Sequence, residues 1–261
     1  MNKIFDASTN ALKWCTWLNI GMLLFSLIGI VIDDRTLLGE NVWLKPVKFG
    51  VSIPIYCITI ALLLSIYPYG DTTKKWISRI IGWSLSLEIP LVMLQAARGV
   101  RSHFNTETSF DGAIFAAMGI LIAINSLVLF FLIGTAFLKK LNTSLLMQRA
   151  IQFGWLGMII SMIAGQLMVS SLAHSVGVPD GGEGMPITHW STEGGDWRVV
   201  HFLGMHGIQL LPLLAYFLGK SKFVTSGTIK HSVIWVIGLM YLVYIGYIFV
   251  KTQAGLPFLT I

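Results

Sequence analysis

The chain has 261 residues, 55% hydrophobic and 11% charged, with a mean hydropathy of +0.75, and these values exclude an ordinary soluble domain. The net charge of +6 does not argue for nucleic acid, because basic residues of a polytopic membrane protein collect beside one face of the bilayer. Seven apolar runs are each long enough to cross ~30 Å of hydrocarbon as a helix. They cover roughly 13–32, 45–67, 77–97, 113–138, 149–173, 198–219 and 230–250.

The pattern predicts an all-α integral membrane protein, a seven-transmembrane-helix bundle forming one domain over residues 1–261. Barrel strands would be shorter and would alternate. The N-terminus and the 2–3, 4–5 and 6–7 connections hold Lys3, Lys13, Lys74, Lys75, Arg79, Lys139, Lys140, Arg149, Lys220, Lys222 and Lys230, opposed only by Asp6 and Asp71. The other side holds seven cations and nine of the twelve acids. That bias predicts a cytoplasmic N-terminus and an extracytoplasmic C-terminus, and the compact all-helical form suits a bacterial inner membrane.

Helix 1 lacks an A-x-A-like cleavage site and runs into Asp33-Asp34-Arg35, which reads as a retained helix. Its Cys15 lies near the inner end, and Cys57 lies near the middle of helix 2. That separation in depth argues against a disulfide and leaves two small buried apolar side chains. Between these helices, Lys45 and Lys48 are three residues apart at a helix end and share a face, where they could hold an anionic group or snorkel to headgroups.

Helix 3 carries Glu88 near its middle, followed by Pro90. A carboxylate at that depth must face protein or water. Ser84, Gln95 and Gly99 fall on the face of Glu88, so a polar stripe climbs to the outer end, where Arg98 and Arg101 form one basic face and His103 follows. Asn125 and Ser126 lie near mid-depth in helix 4 and suit interhelical hydrogen bonds.

Helix 5 has a small-residue series, Gly157, Ser161 and Gly165, that permits close approach of another helix, and a polar series, Gln166, Ser170 and His174. The stretch from Gly181 to Pro212 then takes a glycine-rich loop with Glu183, His189 and Glu193 into helix 6, with Asp196 as N-cap and His201, His206 and Gln209 inside the span. Helices 2 and 6 share a leading tryptophan and a later proline, a likeness too faint to read as a repeat of helices 1–3 in helices 5–7.

Five of the six histidines fall on the outer half, which favours a ligand or cofactor site there. His201 and His206 are five residues apart, about 140° around a helix, so they cannot share one ion as an H-x-x-x-H pair does. The middle of helix 7 has no lysine for a retinal Schiff base.

The leading expectation is a haem-binding redox or electron-transfer protein, with axial ligands from two of His103, His174, His201 and His206, and propionates met by Arg98, Arg101, Lys45 or Lys48. A membrane-embedded zinc enzyme would use His103, His174, His189 or His201 with a carboxylate, and Glu88 or Glu183 as acid or base on a lipid-linked substrate. A proton-coupled transporter would line its path with Glu88, Gln95, Gln166, His206 and Gln209. Glu88 and His206 lie roughly 12–15 Å below the outer helix ends at 1.5 Å per residue, a depth at which they could act together. Expected partners are the bilayer and a small hydrophobic or anionic ligand, and the sequence leaves enzyme and carrier both open.

Overall fold

The computed structural model describes residues 4–259, so Lys3 lies outside the described residues. Seven helices are long and apolar enough to cross a membrane: α1 (Asn10–Ile32), α2 (Leu44–Ile66), α3 (Asp71–Arg98), α4 (Ser109–Leu138), α5 (Leu145–Ser171), α6 (Trp197–Lys220) and α7 (Gly227–Gln253). Several begin earlier than hydropathy places them, because their first turns are polar. Asp71 lies at the positive end of the α3 dipole. The Ser144 and Ser226 hydroxyls accept from Met147 N and Ile229 N to cap α5 and α7. Helices α2, α3 and α6 run on through Pro54, Pro90 and Pro212.

The chain divides into two compact units, Met1–Leu132 and Ile133–Ile261. In the first, α1 packs against α2 and α3. Glycines set the close contacts: a Cβ on Gly82 would stand 2.8 Å from the Ala11 backbone, and one on Gly50 would stand 2.8 Å from Leu23 Cβ. Cys15 and Cys57 are both buried free thiols, as the sequence predicts.

A two-residue hairpin, β1 (Thr36–Leu37) with β2 (Glu40–Asn41), joins α1 to α2. Asp33 accepts from Trp43 Nε1 at 2.8 Å and from Arg35 at 2.7 Å, while Arg35 donates to Ala97 O at 3.0 Å and so closes the end of α3. The Arg35 guanidinium beside Asp33 holds that carboxyl well below the usual range.

In the second unit α5 packs along α6 and also meets α7. The small-residue face read from sequence is the one used. Cβ atoms on Gly154 and Gly204 would lie 2.7 Å from Ile208 Cα and 2.5 Å from Gly157 O. Helix α5 ends at Ser171, with Leu172 left-handed at φ 52, so His174 does not continue the Gln166 and Ser170 series, and both of those are exposed. The α5–α6 connection is instead pinned by β3 (Ser175–Val176) pairing with β4 (Gly195–Asp196). Trp190 packs on Phe202 and Phe258, which ties the connection to the C-terminal tail.

Candidate functional site

The most unusual group in the first unit is Glu88. Its side chain is 2% exposed, its Oε2 is buried with no hydrogen-bond partner among the described residues, and its Oε1 lies 4.0 Å from His103 Nε2. An unpartnered buried carboxylate oxygen costs about 1–3 kcal/mol or more, so its retention needs a reason.

Glu88 sits ten residues before the end of α3, about 15 Å along the helix. For His103 to reach it, the α3–α4 connection must fold back on the helix instead of lying at its end. Local chemistry arranges this. Gly99 ends α3 in the left-handed region at φ 72, Phe104 turns the chain again at φ 59, and the Arg101 carbonyl accepts from Gln95 Nε2 and Asn105 Nδ2.

The Asp111 carboxylate then clamps the connection to α3. It accepts from Gln95 Nε2 at 2.9 Å, from Arg98 Nη1 at 2.5 Å and from Thr108 Oγ1 at 2.5 Å. Around the His103 ring stand Phe49, Phe104 and Phe115, with centroids 5.8, 6.1 and 6.4 Å away, and Ser102 Oγ lies 3.0 Å from its Nδ1. A gap of 4.0 Å is too long for a direct hydrogen bond, and the His103 side chain is 21% exposed.

Other residues expected at a site have settled partners. Lys48 pairs with Glu40 at 2.5 Å, so it does not join Lys45 as an open anion clamp. Arg98 is held by Asp111 and Gln95, and Arg101 lies beyond the end of α3, so the two do not form one helical face. Asn125 accepts from Tyr56 at 2.8 Å and donates to Ser84 Oγ at 3.3 Å, the interhelical role expected of it.

In the second unit His201 Nδ1 donates to Ser161 O at 2.9 Å, while Ser161 Oγ donates to His201 O at 2.8 Å. His206 Nδ1 lies 2.9 Å from Gln209 Oε1. His174 Nδ1 lies 3.0 Å from Asp180 Oδ2, and Asp180 also accepts from the His174 and Ser175 amides. Burial pushes the Asp180 carboxyl up, but the His174 ring and these two amides outweigh it and hold the group well below its ordinary value.

Asp196 caps α6 as expected, accepting from Arg198 N at 2.9 Å. His189 has φ 55, its carbonyl accepts from Arg198, and its Nε2 is buried with no hydrogen-bond partner among the described residues. Glu88 and His206, paired by depth in the sequence, belong to different units, and the imidazole beside Glu88 is that of His103. Among the described residues no three of His, Cys, Asp and Glu converge closely enough to hold a metal ion, so the set His103, His174, His189 and His201 gains no support as a zinc site.

Ser102, Phe49, Phe104 and Phe115 carry no local signal of a role at Glu88 in the sequence. Asp111 is given no role there either, although Thr108-Ser109-Phe110-Asp111 has the T-x-x-D form of a helix start. The chain matches no family model, no curated protein and no solved structure.

Proposed function

We propose that this protein is a proton-coupled membrane carrier in which Glu88 takes up and releases the proton and His103 relays it to the wet end of the helices. The observation that carries the reading is the carboxylate 2% exposed in the middle of a span, with one oxygen unpartnered and the other 4.0 Å from an imidazole. Ionisable groups inside a span are expensive and are kept where they bind or move charge. Carriers place such groups near mid-depth, where a site can open to either face in turn. The excess of basic residues beside the N-terminus and the even-numbered connections supports a cytoplasmic position for that face.

The test is electrical. Proteoliposomes on a solid-supported membrane, exposed to concentration jumps of pooled sugars, amino acids, organic acids and nucleosides, should give a transient current for one pool that grows with an inward proton gradient. Glu88→Gln should abolish that current. Absence of current from every pool at pH values on both sides of neutrality would sink the carrier reading.

A second reading, haem redox, is favoured by a separate feature. The Nδ1 atoms of His174, His201 and His206 each lie against an oxygen, the arrangement that orients Nε2 for axial ligation. A Soret band in the purified protein after haem-replete expression, lost in His201→Ala, would favour this reading over the carrier.

A further inference from the structure

The turn from α4 to α5 borders an open cleft of about 480 Å³, within the range of small-ligand sites, lined by Phe137, Leu138, Lys139, Lys140, Leu145 and Arg149 among others. It takes no part in the site around Glu88. Its polar wall is cationic, since Lys139 and Lys140 are exposed and Arg149 is half-buried. All four acids of this unit, Asp180, Glu183, Glu193 and Asp196, lie in the α5–α6 connection, and among the described residues Lys139, Lys140 and Arg149 enter no ion pair.

Two further features favour an anion. Gln148 Nε2 donates to Lys139 O at 2.9 Å and Gln152 Nε2 to Ala136 O at 2.8 Å, so two of the carbonyls at and just past the negative end of α4 are already bound. The cleft also borders the first turn of α5, where Leu145 and Leu146 present amides that have no partner within the helix.

Arg149 is fixed in place before any ligand arrives. Its Nη1 donates to Gln152 Oε1 at 2.8 Å, and its guanidinium stands 5.8 Å from the Trp235 ring centroid. The other wall is apolar and open: Leu138 is 86% exposed and Leu145 is 57% exposed. A small inorganic ion would not use that wall. We infer that the cleft binds the phosphate of an anionic phospholipid through Lys139, Lys140 and Arg149, with the acyl chains lying along Phe137, Leu138 and Leu145.

The full chain, purified in mild detergent, is titrated separately with phosphatidylglycerol, phosphatidylcholine and inorganic phosphate, and bound lipid is read by native mass spectrometry. Phosphatidylglycerol should bind in preference to phosphatidylcholine, and inorganic phosphate should neither bind comparably nor displace it. Replacing Lys139 and Lys140 together by Gln should weaken phosphatidylglycerol roughly thirtyfold, at about 1 kcal/mol for each lysine, and leave phosphatidylcholine unchanged. Arg149→Lys should weaken it too, by loss of the planar fork. The control removes equal charge elsewhere, in Lys220→Gln with Lys222→Gln, and should change little. Equal weakening by the control would show diffuse attraction and overturn the site. Inorganic phosphate binding as tightly as the lipid would overturn the lipid as its occupant.

Discussion

In the unit of α5, α6 and α7, the imidazoles inside the span each have an oxygen to bind, His201 at Ser161 and His206 at Gln209, and the helices approach until backbone meets backbone. In the unit of α1, α2, α3 and most of α4, the helices also meet at glycines, yet Glu88 is buried with an oxygen that has no hydrogen-bond partner among the described residues. The difference separates two uses of polarity inside a membrane. A pair between helices, as His201 makes with Ser161, acts as a fastener worth about 1 kcal/mol, while His206 is satisfied within its own helix by Gln209. A buried acid with an unmade bond is a poor fastener, and the carrier proposal gives it a different task, the uptake and release of a proton.

The comparison breaks most severely at the α5–α6 crossing. A Cβ on Gly204 would lie 2.5 Å from Gly157 O and 2.8 Å from Ser161 Cβ, and neither can move without shifting a helix. Gly204→Val should therefore destabilise the second unit by about 3 kcal/mol or more, read as loss of the monodisperse peak in detergent. If Gly204→Val melts like the parent, the fasteners are not what holds this unit.

The Asp180 cluster comes next, outside the spans. Its carboxyl is depressed in the fold, so its stabilisation is present above the unfolded value of 3.8 and is lost as pH falls below about 4. Thermal melts from neutral pH to below 3.8 should show about 1.5 kcal/mol of acid loss that Asp180→Asn removes. An unchanged acid slope in Asp180→Asn would assign the loss to other carboxylates. Ser161→Ala should cost less, about 1 kcal/mol, since His201 Nδ1 keeps the Ser161 carbonyl as its acceptor.

The spans were legible in the sequence because length and hydropathy act residue by residue. The small-residue face of α5 was legible for the same reason, since 3.6-residue periodicity alone puts Gly157, Ser161 and Gly165 together. Glu88 stood out as a charge in an apolar run. Its partner did not, because His103 reaches it only after Gly99 and Phe104 turn the connection back, and those turns depend on the Arg98–Gln95–Asp111 clamp. Helical periodicity misled at His174, where Leu172 had already ended the helix.

The smallest change in stability, and the sharpest contrast, is expected at Glu88. Glu88→Gln keeps the volume and one acceptor oxygen while removing any charge from a site 2% exposed, and the new amide can donate toward His103 Nε2, now 4.0 Å from the carboxylate. A fastener replaced by its amide would weaken the unit, as at other paired sites. An acid held there for function, with Oε2 unpartnered, should leave the melting transition within about 1 kcal/mol of the parent, or raise it, because a desolvated ionisable group has been removed. The currents expected of the parent should vanish in the same protein sample. A drop in stability as large as that of Gly204→Val, with currents surviving in the folded fraction, would make Glu88 a packing residue and erase the distinction between the two units.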